Sequence, residues 1–157
     1  AGRKPGGTPY AEHSASSLIH RTPSATLNET GFTERADVRA KFMPHFVIEY
    51  SRNIESDYDV NEIIDTAFQA GVDCGFMNPD SIQVRAIGYD NFRLKDGLTS
   101  FLHLTVALFA GRTLEQKQSF TTLACERLAE RFPKIGSISV DMRDMDQQVY
   151  RKRLAGS

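Results

Sequence analysis

The feature that most constrains this chain is a pattern that occurs twice: a short apolar strand, an amphipathic helix, then a second strand. In the first copy, "PHFVIEYS" (44–51) reads as a strand with apolar residues on both faces. It is followed by a helical stripe in which Val60, Ile63, Ile64, Ala67, Phe68 and Val72 recur at helical spacing. Gly75 suits the C-terminal cap of that helix, and "SIQVRAIGY" (81–89) reads as a strand after the turn-forming "NPD". In the second copy, "SFLHLTVALF" (100–109) alternates cleanly, with Leu102, Leu104, Val106 and Leu108 on one face. Phe101, His103, Thr105, Ala107 and Phe109 take the other face. Thr113 and Gln116 form a capping-box pair that opens a helix carrying Phe120, Leu123, Ala124, Leu128 and Phe132 on one stripe. "SISVDMRDM" (137–145) supplies the last strand.

Two such units predict an α+β, two-layer sandwich: a four-stranded mixed sheet built from tandem βαβ units, with both helices on one face. The opposite face carries Phe101, Ala107 and Phe109 and, from the first strand, either Phe46, Ile48 and Tyr50 or His45 and Val47. A second apolar face on a domain of this size is expected to be covered by another copy of the chain.

With 157 residues there is room for one ordinary domain. A boundary is expected at Met43–Pro44. Residues 1–43 are rich in Gly, Pro, Ser and Thr without sustained periodicity, so they read as a disordered leader, with 44–157 as the folded domain. Acidic Glu12, Glu29, Glu34 and Asp37 speak against an organelle transit peptide. An upstream extension foreign to the working protein, with Met43 as the true start, is the preferred reading. Charge divides as six Lys/Arg against four Asp/Glu in the leader and thirteen against sixteen in the body. Neither block makes a polyanion-binding field, so no nucleic-acid partner is expected. No apolar run approaches a membrane span. Cys74 and Cys125 sit in helical patterns and read as reduced, buried thiols of a cytoplasmic protein rather than a disulfide or a metal site.

"MPHFVIEYSRNI", "VRAIG" and "FLHLTVALFAGRTLEQKQ" together resemble the tautomerase superfamily and, within it, the 5-carboxymethyl-2-hydroxymuconate isomerases. The resemblance covers 44–157 and none of the leader. It implies a homotrimer of fused βαβ units and a cofactor-independent, metal-free isomerase acting on a carboxylated enol of aromatic catabolism. It also implies a catalytic proline whose nitrogen is exposed by removal of the initiator methionine, which a small following residue favours. Pro44 would be that proline, and Arg85 and Arg112 match arginines of the family pattern.

The chemistry can be argued from the residues as well. A proline at a free N-terminus is a secondary amine held by its ring. Burial and adjacent guanidinium groups both disfavour its protonated form and bring it into working range as a base. Either arginine can grip a carboxylate in a two-pronged fork, although taken alone Arg112 reads as a solvated loop residue beside a helix N-terminus. His45, Phe46, His103 and Tyr150 are expected as substrate contacts or support, with a packed histidine the simpler reading of His103 and an exposed aromatic the simpler reading of Tyr150. "RKR" (151–153) reads as a solvated basic tail. Two readings compete within the enzyme class: a phenylpyruvate-type tautomerase, or a dehalogenase that would need a carboxylate such as Glu49 to activate water. Outside it stands a non-catalytic trimeric binding protein, since an internal Pro44 carries an amide nitrogen with no basic lone pair.

Overall fold

The computed structural model describes Gly2, residues 43–95 and residues 97–156, and every element below belongs to the unit Thr33–Ser157. The expected leader, Gly2 and Met43 apart, lies outside the described residues. The elements run β1 (His45–Ser51), α1 (Val60–Asp73), β2 (Gln83–Tyr89), β3 (Phe101–Phe109), α2 (Leu114–Arg131) and β4 (Ser137–Met145). Short 3-10 turns at Arg52–Ser56 and Pro79–Ser81 lead into the first helix and the second strand. The four strands form one sheet in the order β2-β1-β3-β4. β1 runs parallel to β2 and antiparallel to β3, and β3 runs parallel to β4. The expected mixed sheet of two βαβ units is therefore present.

Local sequence explains the element ends. The Asp59 carboxylate accepts a hydrogen bond from the Asn61 backbone N–H and caps α1. Gly75, just past that helix, has φ +77°, the left-handed conformation that a side chain disfavours. At α2 the Thr113 hydroxyl accepts from the Gln116 backbone N–H, while the Gln116 side chain accepts from the Thr113 N–H. The capping box read in the sequence is thus in place.

The period-two alternation then assigns the faces. Phe46, Ile48 and Tyr50 of β1 and Leu102, Leu104, Val106 and Leu108 of β3 are buried toward the helices. They meet Ile63, Ala67 and Ala70 of α1 and Phe120, Ala124 and Leu128 of α2. The helical stripe predicted for α1 is displaced slightly. Ala70 and Gly71 are buried, while Val60, Ile64, Phe68 and Val72 are only half-buried. The cause is closeness to the sheet: a Cβ on Gly71 would lie 2.8 Å from the Phe46 ring tip and 2.9 Å from Ile82 Cδ1, so only the smallest residues fit there.

His45, Val47 and Glu49 consequently share the open face with His103, Thr105 and Ala107, which resolves the two-way expectation for β1 in favour of His45 and Val47. Phe46 is corrected here. Its side chain is fully buried and packs edge-on against Phe120, ring centres 5.7 Å apart, so it fills the core and lines nothing on the open face. Replacing Phe46 with alanine is expected to cost about 3–5 kcal/mol of folding stability, read from denaturant unfolding. A loss under about 1 kcal/mol would show that the ring is not the keystone of this packing.

Candidate active site

Pro44 stands immediately before the central strand, and its carbonyl accepts a hydrogen bond from the Gln83 N–H at 3.0 Å. The β1–β2 ladder thus continues one residue past the strand end and fixes the proline ring, which is fully buried. Proline suits this place because it has no N–H to leave unsatisfied.

Its chain neighbours His45 and Met43 are met by groups from other elements. His45, next in sequence, places its imidazole on the open face, and its Nε2 lies 3.1 Å from the Tyr150 hydroxyl. The Tyr150 ring also stacks edge-on against Phe109 at 5.2 Å, so the chain after β4 folds back over the ends of β1 and β3. Two residues on, the Lys152 ammonium reaches the Met43 thioether at 3.0 Å. Met43 itself is 8% exposed. Arg85 rises from β2 opposite Val47, and neither it nor Lys152 forms an ion pair among the described residues. The imidazole of His45 registers this surrounding. Burial, then the Arg85 and Lys152 charges, hold its pKa below the ordinary 6.5. This end of the sheet sets two exposed cations beside a half-buried imidazole.

Of the residues singled out in the sequence, His45 follows Pro44 directly, bonds to Tyr150 and lies within reach of the Arg85 charge. Arg112 is placed differently. Its guanidinium donates to the carbonyls of Phe109 at 3.3 Å and Phe76 at 3.4 Å, tying the end of β3 to the segment after α1. His103 sits opposite Glu49, four positions along β1 from His45, about 13 Å at strand rise. Its ring bonds to the Ser139 hydroxyl at 2.7 Å and to Thr105 Oγ1 at 3.2 Å, the packed, hydrogen-bonded histidine of the simpler reading. Tyr150 is half-buried between His45 and Phe109 rather than free in solvent.

Sequence reasoning missed Met43, Phe109 and Lys152 as members of this cluster. Phe109 ends an alternating strand whose open-face residues were identified, so its position was available; Lys152 lay in a tail without periodicity. A cleft of about 540 Å³ lined by Ala110, Asp144, Met145, Asp146, Gln147 and Gln148 opens beside the ends of β3 and β4. Its carboxylates make it a poor receptor for an anionic acid. Among the described residues no group of three His, Cys, Asp or Glu is placed to hold a metal ion, and no helix is long and apolar enough to cross a membrane.

Comparison with known proteins bears on the same region. Residues 44–154 match the family model for 5-carboxymethyl-2-hydroxymuconate isomerase. The 5-carboxymethyl-2-hydroxymuconate Delta-isomerase of Escherichia coli is 27% identical over 92 residues, covering 57% of this chain and 73% of that relative. A solved 5-carboxymethyl-2-hydroxymuconate isomerase from Deinococcus radiodurans R1 shares the fold, with a TM-score of 0.59 at 20% identity over 72% of this chain and 90% of that one. A fused 4-OT solved as an asymmetric trimer also shares it, with a TM-score of 0.57 at 19% identity over 72% and 94%.

The lowered His45 pKa has a signed consequence. Above the unfolded value of 6.5 the imidazole is neutral in both states and contributes nothing. Below it the unfolded chain takes up a proton that the native recess resists, so stability falls with falling pH until the lower native pKa is passed. Urea unfolding between about pH 7.5 and pH 5.5 should therefore show a steeper acid loss for the native sequence than for His45→Gln. Equal slopes would mean that His45 does not feel the recess.

Proposed function

The chain belongs to the 5-carboxymethyl-2-hydroxymuconate isomerase family, and from that premise we propose that it moves a proton along an unsaturated 2-hydroxy polycarboxylate, such as 5-carboxymethyl-2-hydroxymuconate, with the Pro44 nitrogen as base. The observation that carries this reading is a fully buried proline at the head of the central strand, whose two chain neighbours are met by cations without acidic partners among the described residues: Lys152 at Met43, and Arg85 and Lys152 near His45.

Each part has a physical task. The free secondary amine accepts the enol hydroxyl proton, and the oxygen closes to a carbonyl as the double bonds shift. The same nitrogen then returns a proton to a carbon further along the conjugated chain, so no atom is gained or lost. Burial and neighbouring positive charge keep the amine from resting as an ammonium. The cations hold carboxylates and stabilise the dienolate while charge spreads through it. Arg85 is assigned to one carboxylate. Arg112 is assigned to the frame, where it donates to the carbonyls of Phe109 and Phe76.

The nitrogen of Pro44 is acylated by Met43 in the chain as written, and an amide is no base. We assign activity to a form that begins at Pro44, in which the burial that now shelters the Met43–Pro44 peptide shelters an amine instead. The open sheet face leaves Ile87 51% and Tyr89 37% exposed in the single chain, which supports assembly into a homo-oligomer. We take that assembly to be a trimer in the cytoplasm, in keeping with free thiols at Cys74 and Cys125. Glu49, the carboxylate that a water-activating dehalogenase would need, accepts a hydrogen bond from the Tyr89 hydroxyl at 2.5 Å on the part of β1 distant from Pro44. The dehalogenase reading therefore draws no support from this geometry.

A protein beginning at Pro44 is expected to isomerise the dienol, and the 157-residue chain to do so only weakly. In the shorter protein Pro44→Ala should lower kcat/KM about 10²–10⁴-fold, followed by the absorbance of the conjugated dienol. Equal turnover by both lengths would remove the Pro44 nitrogen from the mechanism, whereas turnover by neither would favour a non-catalytic binding protein.

A further inference from the structure

The tail after β4 carries more than a wall. Lys152 is exposed overall, yet its ammonium is directed inward onto the Met43 sulfur at 3.0 Å. A thioether is a weak acceptor and a poor partner for a full positive charge. No carboxylate lies within ion-pair distance of Lys152 among the described residues. The placement is not that of a loose terminus. Tyr150, two residues earlier, is held both by the His45 imidazole at 3.1 Å and by the Phe109 ring at 5.2 Å, and its backbone N–H donates to the Asp146 carbonyl at 3.2 Å. The strap is pinned through Tyr150 to His45 and Phe109 and brings the Lys152 ammonium to Met43.

Met43 is the clue to what belongs there. Met43 is 8% exposed, and its side chain branches from the α-carbon next to the carbonyl that acylates the Pro44 nitrogen. Once that residue is gone, the nitrogen is free and the volume left by a methionine side chain lies open between the nitrogen and the Lys152 ammonium. A soft, neutral sulfur has been occupying the position where a hard, anionic oxygen would satisfy the ammonium far better. The other cation, Arg85, stands on β2 opposite Val47, on the same open face. Arg112, which the family pattern would suggest as a second fork, is engaged with the carbonyls of Phe109 and Phe76.

We propose that Lys152 is a substrate-binding residue of this site: its ammonium takes the place vacated by Met43 sulfur as the anchor for a second carboxylate, so that the strap selects diacids over monoacids. The inference rests on reading the Pro44 end of the sheet as the substrate site. Arg85 and Lys152 act as two separated cations, one for each end of an extended acid. A flexible lysine on a strap tolerates variation in the distance between those ends better than a second rigid guanidinium would. The recess thereby gains a selectivity that a single arginine cannot supply, since one fork recognises a carboxylate without regard to what lies beyond it.

The test uses the protein beginning at Pro44 and two unreactive six-carbon dienoic acids, muconate with two carboxylates and sorbate with one, measured by calorimetry. Lys152→Gln is expected to weaken muconate binding about tenfold or more while leaving sorbate binding within about twofold, and Lys152→Arg should restore most of the difference. An unchanged thermal midpoint for Lys152→Gln would show that the strap stays folded. Loss of affinity for both acids alike, no loss for either, or no binding of muconate to the unsubstituted protein would overturn the inference. Turnover separates it from the parent reading. Lys152-dependent muconate binding without isomerisation of any dienol sinks the isomerase and leaves the diacid anchor standing. Isomerisation with muconate affinity indifferent to Lys152 sinks the anchor alone.

Discussion

The antiparallel pairing of β1 with β3, in the register that sets His45 opposite Ala107, governs what the rest of this molecule can be. It joins two βαβ units edge to edge into one sheet. Because side chains alternate with period two, it also decides all at once which residues go under the helices. Phe46, Ile48 and Tyr50 go inward with Leu102, Leu104 and Val106. His45, Val47 and Glu49 go outward with His103 and Thr105. A slip of one residue would bury His45 and expose Phe46, exchanging a fully buried aromatic for a titratable ring. The penalty for such a slip is many times the thermal energy, so the register is firmly specified. The same pairing puts the start of β1 beside the end of β3, which is why Pro44, Phe109 and the chain after β4 meet.

At that meeting point the decisive quantity is the covalent state of one nitrogen. Burial of an amide nitrogen in a proline costs little, because it has neither a hydrogen to donate nor a lone pair to protonate. Burial of a free amine in the same place is costly in its charged form, and nearby cations add to that cost. Under the proposed reading, the same burial would be indifferent to Pro44 as an internal residue and would bias Pro44 as a terminus toward its neutral form. His45, the neighbour that titrates in this chain, already has its pKa lowered by the same burial and the same two cations.

Much of the architecture was legible in the sequence because it rests on strong local signals. The period-two run of β3, the Thr113–Gln116 capping box and the bounds of β4 appear in the structure as read. β1 was ambiguous for a definite reason: "PHFVIEYS" is apolar on both faces, so alternation alone cannot choose between them, and only pairing with β3 and packing against Phe120 makes the choice. Phe46, expected as a substrate contact or support next to Pro44, packs inward against Phe120 instead. Proline, arginine and histidine were legible as chemistry, but Arg112 shows the limit of that approach. A guanidinium that suits a carboxylate equally suits two backbone carbonyls, and the sequence does not reveal which it meets. The tail was least legible. "QVYRKR" has no period and no cap, and its place over β1 depends on contacts of Tyr150 with residues far away in the chain.

The account stands on Pro44 becoming an amine that remains largely uncharged at neutral pH. In a protein that begins at that residue and carries nitrogen-15 in its prolines, the Pro44 resonance can be followed through a pH titration. Arg85, Lys152 and burial should bring its midpoint well below the value of about 7.7–8.0 for an ordinary α-amino group. A midpoint at or above that value would mean the recess does not hold a free base, and the proline mechanism would have to be abandoned.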